Sequence, residues 1–76
     1  MADKTAIKMH PVNSSNIAQA GYNEKTRVLE IHFVNGGKYQ YEGIEKYLYE
    51  GLFQSDSPGG FLRKWIIKAN YPFRKL

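Results

Sequence analysis

The sequence predicts an α+β domain, a three-stranded antiparallel β-meander followed by two helices packed on one sheet face, and three observations predict it. The apolar residues recur with period 2 up to Tyr41 and with helical spacing after Gly43. Asn35-Gly36-Gly37 separates two period-2 runs with the backbone freedom a tight hairpin needs. The chain has 76 residues, which allows one domain around one core. Strand, strand, strand, helix, helix is then a simple and local order.

Residues 1–11 are polar, show no period and end at His10-Pro11, so they are expected to form a loosely held N-terminal arm, with the domain spanning 12–76. Ile17 to Tyr22 alternates weakly and makes the first strand, followed by the polar turn Tyr22-Asn23-Glu24-Lys25-Thr26. Arg27 to Val34 is the strongest strand signal: Leu29, Ile31 and Phe33 share one face, and Glu30 and His32 the other. Lys38-Tyr39-Gln40-Tyr41 returns after the hairpin. Ile44, Tyr47, Leu48, Gly51 and Leu52 fall at i, i+3, i+4, i+7 and i+8, the stripe of an amphipathic helix over Ile44 to Phe53. In the turn that follows, Ser57 suits an N-cap and Pro58 the first helical position. Phe61, Leu62, Trp65, Ile66 and Ala69 mark the inner face of a second helix, which Tyr71-Pro72 ends because the residue before proline is pushed out of the helical region. The expected core is Leu29, Ile31, Phe33, Leu48, Leu52, Phe61, Trp65 and Ile66.

Composition narrows the function. The chain is 42% hydrophobic and 14% aromatic, enough for a packed core, and its net charge of +4 with a pI near 9.4 favours anionic partners. Cysteine is absent, which removes disulfides, thiolate chemistry and the commonest zinc sites. A domain this small without staples is expected to be a homo-oligomer. No apolar run approaches the ~20 residues that cross a bilayer, and Met1-Ala2-Asp3-Lys4 opens no signal-peptide core, so no membrane partner and a cytoplasmic location are expected. His10 and His32 have no neighbouring carboxylate or nucleophile in a recognisable catalytic arrangement, and Glu30 with His32 supplies at most two of the three or four ligands a metal needs. No enzyme, metal or cofactor is expected.

The strongest binding signal is Ser57-Pro58-Gly59-Gly60-Phe61-Leu62-Arg63-Lys64-Trp65, where paired glycines leave amides uncovered at a helix start and cations follow. No acidic residue occurs after Asp56, so positive charge collects in the last twenty residues. Ser57, Gly59, Gly60 and Lys64 are therefore candidate phosphate ligands, although a glycine turn also serves simply to connect two helices. Ser14, Ser15 and Asn16 form a second cluster of hydroxyl and amide groups that can donate to phosphate or read a base edge, or cap the first strand. Tyr71 and Arg74 sit in the tail, with Tyr71 available to stack a base and Arg74 to meet an anion. Tyr22, Tyr39, Tyr41, Tyr49 and Trp65 complete the aromatic pool, most of it expected in the core.

Pro11-Val12 with Ser14-Ser15, Ile17, Gly21-Tyr22, Leu29-Glu30-Ile31-His32-Phe33, Gly37 with Tyr39 and Tyr41, Tyr47, Leu52, and the closing Ser57, Gly59, Phe61, Ile67 and Tyr71 together resemble the KTSC domain family over residues 11–76. Ile44-Glu45 departs from the valine-proline usual before the family's first helix. The resemblance implies this fold, and it implies settings rather than chemistry: an attachment to some lysyl-tRNA synthetases, and small stand-alone members in bacteriophages and prophages. From the residues and that setting, the expected function is non-enzymatic binding of a small phosphorylated nucleotide, completed by a second copy. It would serve as a phage anti-defence sponge for a host cyclic-nucleotide or ADP-ribose-type signal. An RNA or other nucleic-acid-binding module and a protein-interaction adaptor are the alternatives.

Overall fold

The computed structural model describes residues 7–76; residues 1–6 of the expected arm lie outside the described residues. The chain forms β1 (His10–Pro11), β2 (Ile17–Asn23), β3 (Val28–Phe33), β4 (Lys38–Tyr41), α1 (Lys46–Gln54), α2 (Pro58–Leu62) running on into a π-helical turn (Arg63–Ile67), and β5 (Phe73–Lys75). The α+β architecture is as expected, but the three-stranded meander is the middle of a five-stranded antiparallel sheet of order β1-β2-β3-β4-β5. The two added strands are its edges. His10 and Pro11, expected in the arm, pair with Ala20 and Gln19. Phe73, Arg74 and Lys75, expected in a free tail, pair with Tyr41, Gln40 and Tyr39.

Both hairpins follow from local chemistry. The Asn23 side-chain oxygen accepts from the amides of Lys25 and Thr26, and Arg27 at φ 60° closes the turn between β2 and β3. At the second, Gly36 takes φ 99° and the Asn35 side-chain oxygen accepts from the Gly37 amide at 3.0 Å. The weak alternation of β2 also has a cause. Ile17 pairs with Phe33 and Gln19 with His32, so Ala18 is a bulge, and the phase shift lets Ile17 and Ala20, three residues apart, both point into the core.

Both helices pack on one sheet face. The core joins Ile17, Ala20, Leu29, Ile31 and Tyr41 of the sheet to Ile44, Leu48, Leu52, Leu62 and Ile66, with Val12 at its margin. Of the helix stripe expected from Ile44, the i, i+4, i+8 line of Ile44, Leu48 and Leu52 is buried, while Tyr47 is exposed. The Phe61 ring lies against Gly51, where a Cβ would overlap it.

Trp65 corrects the predicted core: it is 48% exposed. In the π-helical turn the Lys68 amide donates to the Arg63 carbonyl five residues back, which widens the turn and breaks the 3.6-residue phase. Leu62 and Ile66 hold the inner face, Phe61 is half-buried, and Trp65 rotates outward. The second helix ends at Ile67, earlier than Tyr71-Pro72, and Asn70 at φ 63° turns the chain toward β5. Phe33, also expected in the core, is half-buried at the sheet's end.

Candidate functional site

Directly opposed residues of neighbouring strands share a face, so Phe33, Tyr39, Tyr41, Phe73 and Lys75 stand on the same side of the sheet as the aliphatic core. The helices end short of β4 and β5, and a groove of ≈ 930 Å³ remains there. Four rings make its floor: Phe33 meets Tyr39 edge-on at 5.7 Å, Tyr39 and Tyr41 stack at 6.3 Å, and Phe73 tilts against both at 6.0 and 5.9 Å. Ile67, Asn70, Tyr71 and Pro72 make the wall on the helix side, and Asn35 and Gly37 the hairpin end. Burial pushes the Tyr41 phenol up from its usual range, with neighbouring Tyr39 adding to the effect.

A second compartment of ≈ 400 Å³ is lined by Ser15, Asn16, Val34, Gly59, Leu62 and Arg63, and it shares Phe33, Asn35 and Ile67 with the first. The two are neighbours that share three lining residues, one compartment polar and the other aromatic. The Val34 amide donates to the Asn16 carbonyl at 2.8 Å, which ties the segment before β2 to the end of β3. At Gly59 a Cβ would come within 3.0 Å of the Asn16 side-chain nitrogen, so the glycine is what allows the two segments to meet.

The two predicted clusters are thus brought together in part. Ser15, Asn16 and Gly59 share the polar end, and Tyr71 lines the aromatic end. Ser14 caps instead, its hydroxyl accepting from the Asn16 and Ile17 amides at 3.0 and 3.1 Å. Ser57 occupies the N-cap position with Pro58 next, yet makes no side-chain cap; its hydroxyl lies beside Gly60, and neither residue lines the groove. Lys64 faces away, its ammonium 5.1 Å from the Trp65 ring centroid. Its neighbour Arg63 is the cation at the polar end.

Arg74 belongs to the opposite side of the sheet. Its guanidinium donates to Gln40 Oε1 at 3.2 Å, Gln40 Nε2 donates to Glu30 Oε1 at 2.9 Å, His32 Nε2 bonds Glu30 Oε2 at 2.5 Å, and Gln19 Nε2 bonds His32 Nδ1 at 3.0 Å. This polar file crosses four strands. His32 therefore does have a carboxylate partner, contrary to the expectation from sequence. Gln40 is 8% exposed, and Ile7, Lys8 and Met9 pass over Gly21 at the head of the same row. The file fastens β5 from behind while Phe73 and Lys75 face the groove. Among the described residues there is no group of three or more potential metal ligands, and no helix is long and apolar enough to cross a membrane.

Tyr49 stacks on Tyr22 at 5.2 Å and meets Phe53 edge-on at 5.2 Å, half-buried against the core.

Sequence reasoning missed Phe33, Tyr39, Tyr41, Phe73, Arg63 and Lys75 as one site. The usable signal was that the inward positions of β4 are tyrosines where β3 has leucine and isoleucine. A ring with a polar tip suits a surface that stays partly open.

Comparison with known proteins supports the fold. The family model of the KTSC domain matches residues 13–71. A protein from Tsukamurella paurometabola is 33% identical over 63 residues, covering 83% of this chain and 92% of its own length. An uncharacterized protein from Stutzerimonas stutzeri is 30% identical over 70 residues, covering 92% and 99%. The crystal structure of a KTSC domain protein from Yersinia pestis superposes with a TM-score of 0.84 at 35% identity, covering 93% of this chain and 99% of that one.

Proposed function

The chain belongs to the KTSC domain family, and from that premise we propose that it binds a small phosphorylated nucleotide without transforming it, in the groove between the sheet and the π-helical turn. The observation that carries the reading is that a four-ring aromatic floor adjoins a polar compartment holding Arg63, Asn16, Ser15 and Gly59. Stacking on such rings adds of order 1–3 kcal/mol per base whatever the base. A guanidinium beside amide and hydroxyl donors suits a phosphate. Of the cations, Arg63 takes the role first expected of Lys64, and Arg74 is a positioning residue for β5 rather than a ligand contact.

The groove lining contains no histidine, carboxylate or thiol. A bound ligand would meet none of the histidine, carboxylate or thiol groups most often used in catalysis, which supports holding over turnover. In a phage setting such holding amounts to sequestering a host nucleotide signal. A second copy would close the open side, where Ile67 and Phe73 are exposed.

Calorimetry against a panel of adenine nucleotides tests the reading. Arg63→Glu and Tyr71→Ala should each weaken binding at least tenfold, since they act at the two ends. Lys64→Glu, one residue along but outside the groove, should leave affinity within about twofold, apart from long-range charge that added salt removes. Equal losses in the Arg63 and Lys64 variants would return the phosphate to the outer helix face. Failure of every nucleotide to bind would refute the proposal. Sedimentation with and without ligand tests the second copy.

A further inference from the structure

A ring accepts any base on its face, so selection among bases has to come from the polar groups beside the aromatic floor. The hairpin supplies one. A Cβ built at Gly37 would stand 3.3 Å from Asn35 Oδ1, 3.3 Å from Tyr39 Cε1 and 3.9 Å from Phe33 Cδ2. Asn35 Oδ1 and the edge of the Tyr39 ring are therefore separated by no more than twice the first of these distances, and the missing side chain of Gly37 is what lets them converge. A purine is wider than a phenol ring, so one stacked on Tyr39 can present an edge to Asn35.

The Asn35 amide is set in one sense. The Gly37 amide meets its side-chain oxygen at 3.0 Å, and because a backbone N–H can only donate, oxygen is the atom that belongs there. That leaves Nδ2, with two donors, as the part of this exposed side chain able to meet a ligand. Asn35 borders both compartments. Lys75, directly opposite Tyr39 on β5 and also bordering the aromatic compartment, likewise only donates. Neither compartment is lined by a carboxylate that would accept from an exocyclic amine. The hydroxyls of Tyr39, Tyr41 and Tyr71 and the Asn70 amide can serve either way and so do not choose.

Resting on the nucleotide reading, we propose that the base is a 6-oxopurine, guanine or hypoxanthine, and that Asn35 selects it. Along the edge that carries N7, guanine shows two acceptors, N7 and O6, whereas adenine shows the N7 acceptor and the N6 donor. Hypoxanthine shares the guanine pattern at that edge. The Asn35 amine meets acceptors in the first case, and in the second it has N7 alone beside an amine that it cannot pair.

The test compares GMP, IMP and AMP, three monophosphates of the same phosphate charge, by calorimetry on the wild-type chain, Asn35→Asp and Asn35→Ser. Both replacements keep an oxygen that can accept from the Gly37 amide, so the hairpin is retained, and the melting temperature checks this. The wild-type chain should bind GMP and IMP at least about fivefold tighter than AMP, the scale of one hydrogen bond made against one amine left unpaired. Asn35→Ser should bring the three affinities within about twofold of one another. Asn35→Asp should reverse the order in favour of AMP, whose amine the carboxylate accepts. Repulsion between the new charge and the phosphate is common to all three ligands and leaves the ratio. Should that charge unfold the aspartate variant, the serine variant carries the comparison. AMP bound as tightly as GMP by the wild-type chain, or a preference for GMP that survives in the folded variants, overturns selection by Asn35 and leaves the nucleotide reading intact. IMP grouping with AMP overturns it as well, because the 2-amino group would then be what is read. An adenine nucleotide binding where neither GMP nor IMP does has the same effect. No binding by any nucleotide overturns both readings.

Discussion

Over β2 and most of β3 the helix-facing side of the sheet is aliphatic and sealed, whereas over β4 and β5 the same side is aromatic and opens outward from the buried Tyr41 through Tyr39 to Phe73. Ile17, Leu29 and Ile31 are fully buried beneath Leu52, Leu62 and Ile66, while Phe73 is 63% exposed. The two halves obey one rule of alternation and differ in what lies above them. The helical segment stops at Ile67, and the left-handed Asn70 sends the chain back to the sheet edge instead of onward across it. Stability and recognition are thereby separated: aliphatic burial holds the fold, and the uncovered rings are left to meet a ligand. The tyrosine content is then not core filler in excess, because flat rings with polar tips tolerate partial exposure.

The largest test of that separation is a pair of truncations. Ile31→Ala should cost about 2–5 kcal/mol by urea unfolding, a large share of a small domain's stability. Phe73→Ala should cost under ~1 kcal/mol while weakening nucleotide binding. Equal losses of stability would erase the distinction between the halves.

Gly51→Ala probes the sealed half more finely. A helix-interior glycine normally loses about 0.5–1 kcal/mol relative to alanine. Here the Phe61 ring occupies the Cβ position, so overpacking of about 1–3 kcal/mol should prevail and the variant should melt lower. A higher melting temperature would mean that α1 and α2 pack loosely.

Gln40→Leu probes what fastens the open half. It leaves Glu30 Oε1 and the Arg74 guanidinium without their bridge, at a cost of about 1–3 kcal/mol. The expected signature is faster amide exchange in β5 than in β3, and uniform acceleration would deny that the polar file acts on the edge.

Trp65→Ala should change stability by less than ~1 kcal/mol, because the ring is half exposed and touches mainly Phe61 and Lys64. An indole emission typical of a buried ring, or a loss as large as that of Ile31→Ala, would restore Trp65 to the core.

The smallest effect is alkaline. Burial raises the Tyr41 phenol above its ordinary value of 10.0, so the folded state keeps a proton that the unfolded chain has begun to lose. The associated stability is fully present below pH 10, and falls as pH rises through the raised folded value. Tyr41→Phe should flatten that decline, as read by melting temperature across alkaline pH, and an unchanged slope would assign the loss to other groups such as Tyr22 and Tyr49, whose phenols burial also raises.

Both sheet edges are blunted, β1 by Pro11 and β5 by Arg74 and Lys75. Edge-to-edge joining of two copies would set proline or like charges against the pairing, so an oligomer, if formed, should use another face.

The sequence by itself determined β2, β3 and β4, both hairpins, and the lines Ile44–Leu48–Leu52 and Leu62–Ile66, because period and turn chemistry are properties of neighbours along the chain. It also marked Ser15, Asn16, Gly59 and Tyr71. Only the tertiary structure decided β1 and β5, whose two and three residues are too short to carry a period and exist as strands through the partners beside them. The bulge at Ala18 and the π-helical turn at Arg63–Ile67 each add a residue to a local repeat, which carried Ala20 into the core and Trp65 out of it, and put Arg63 rather than Lys64 at the groove. The groove itself gathers residues from 15 to 75. A concavity is a relation between segments that touch, and spacing along one segment does not encode it.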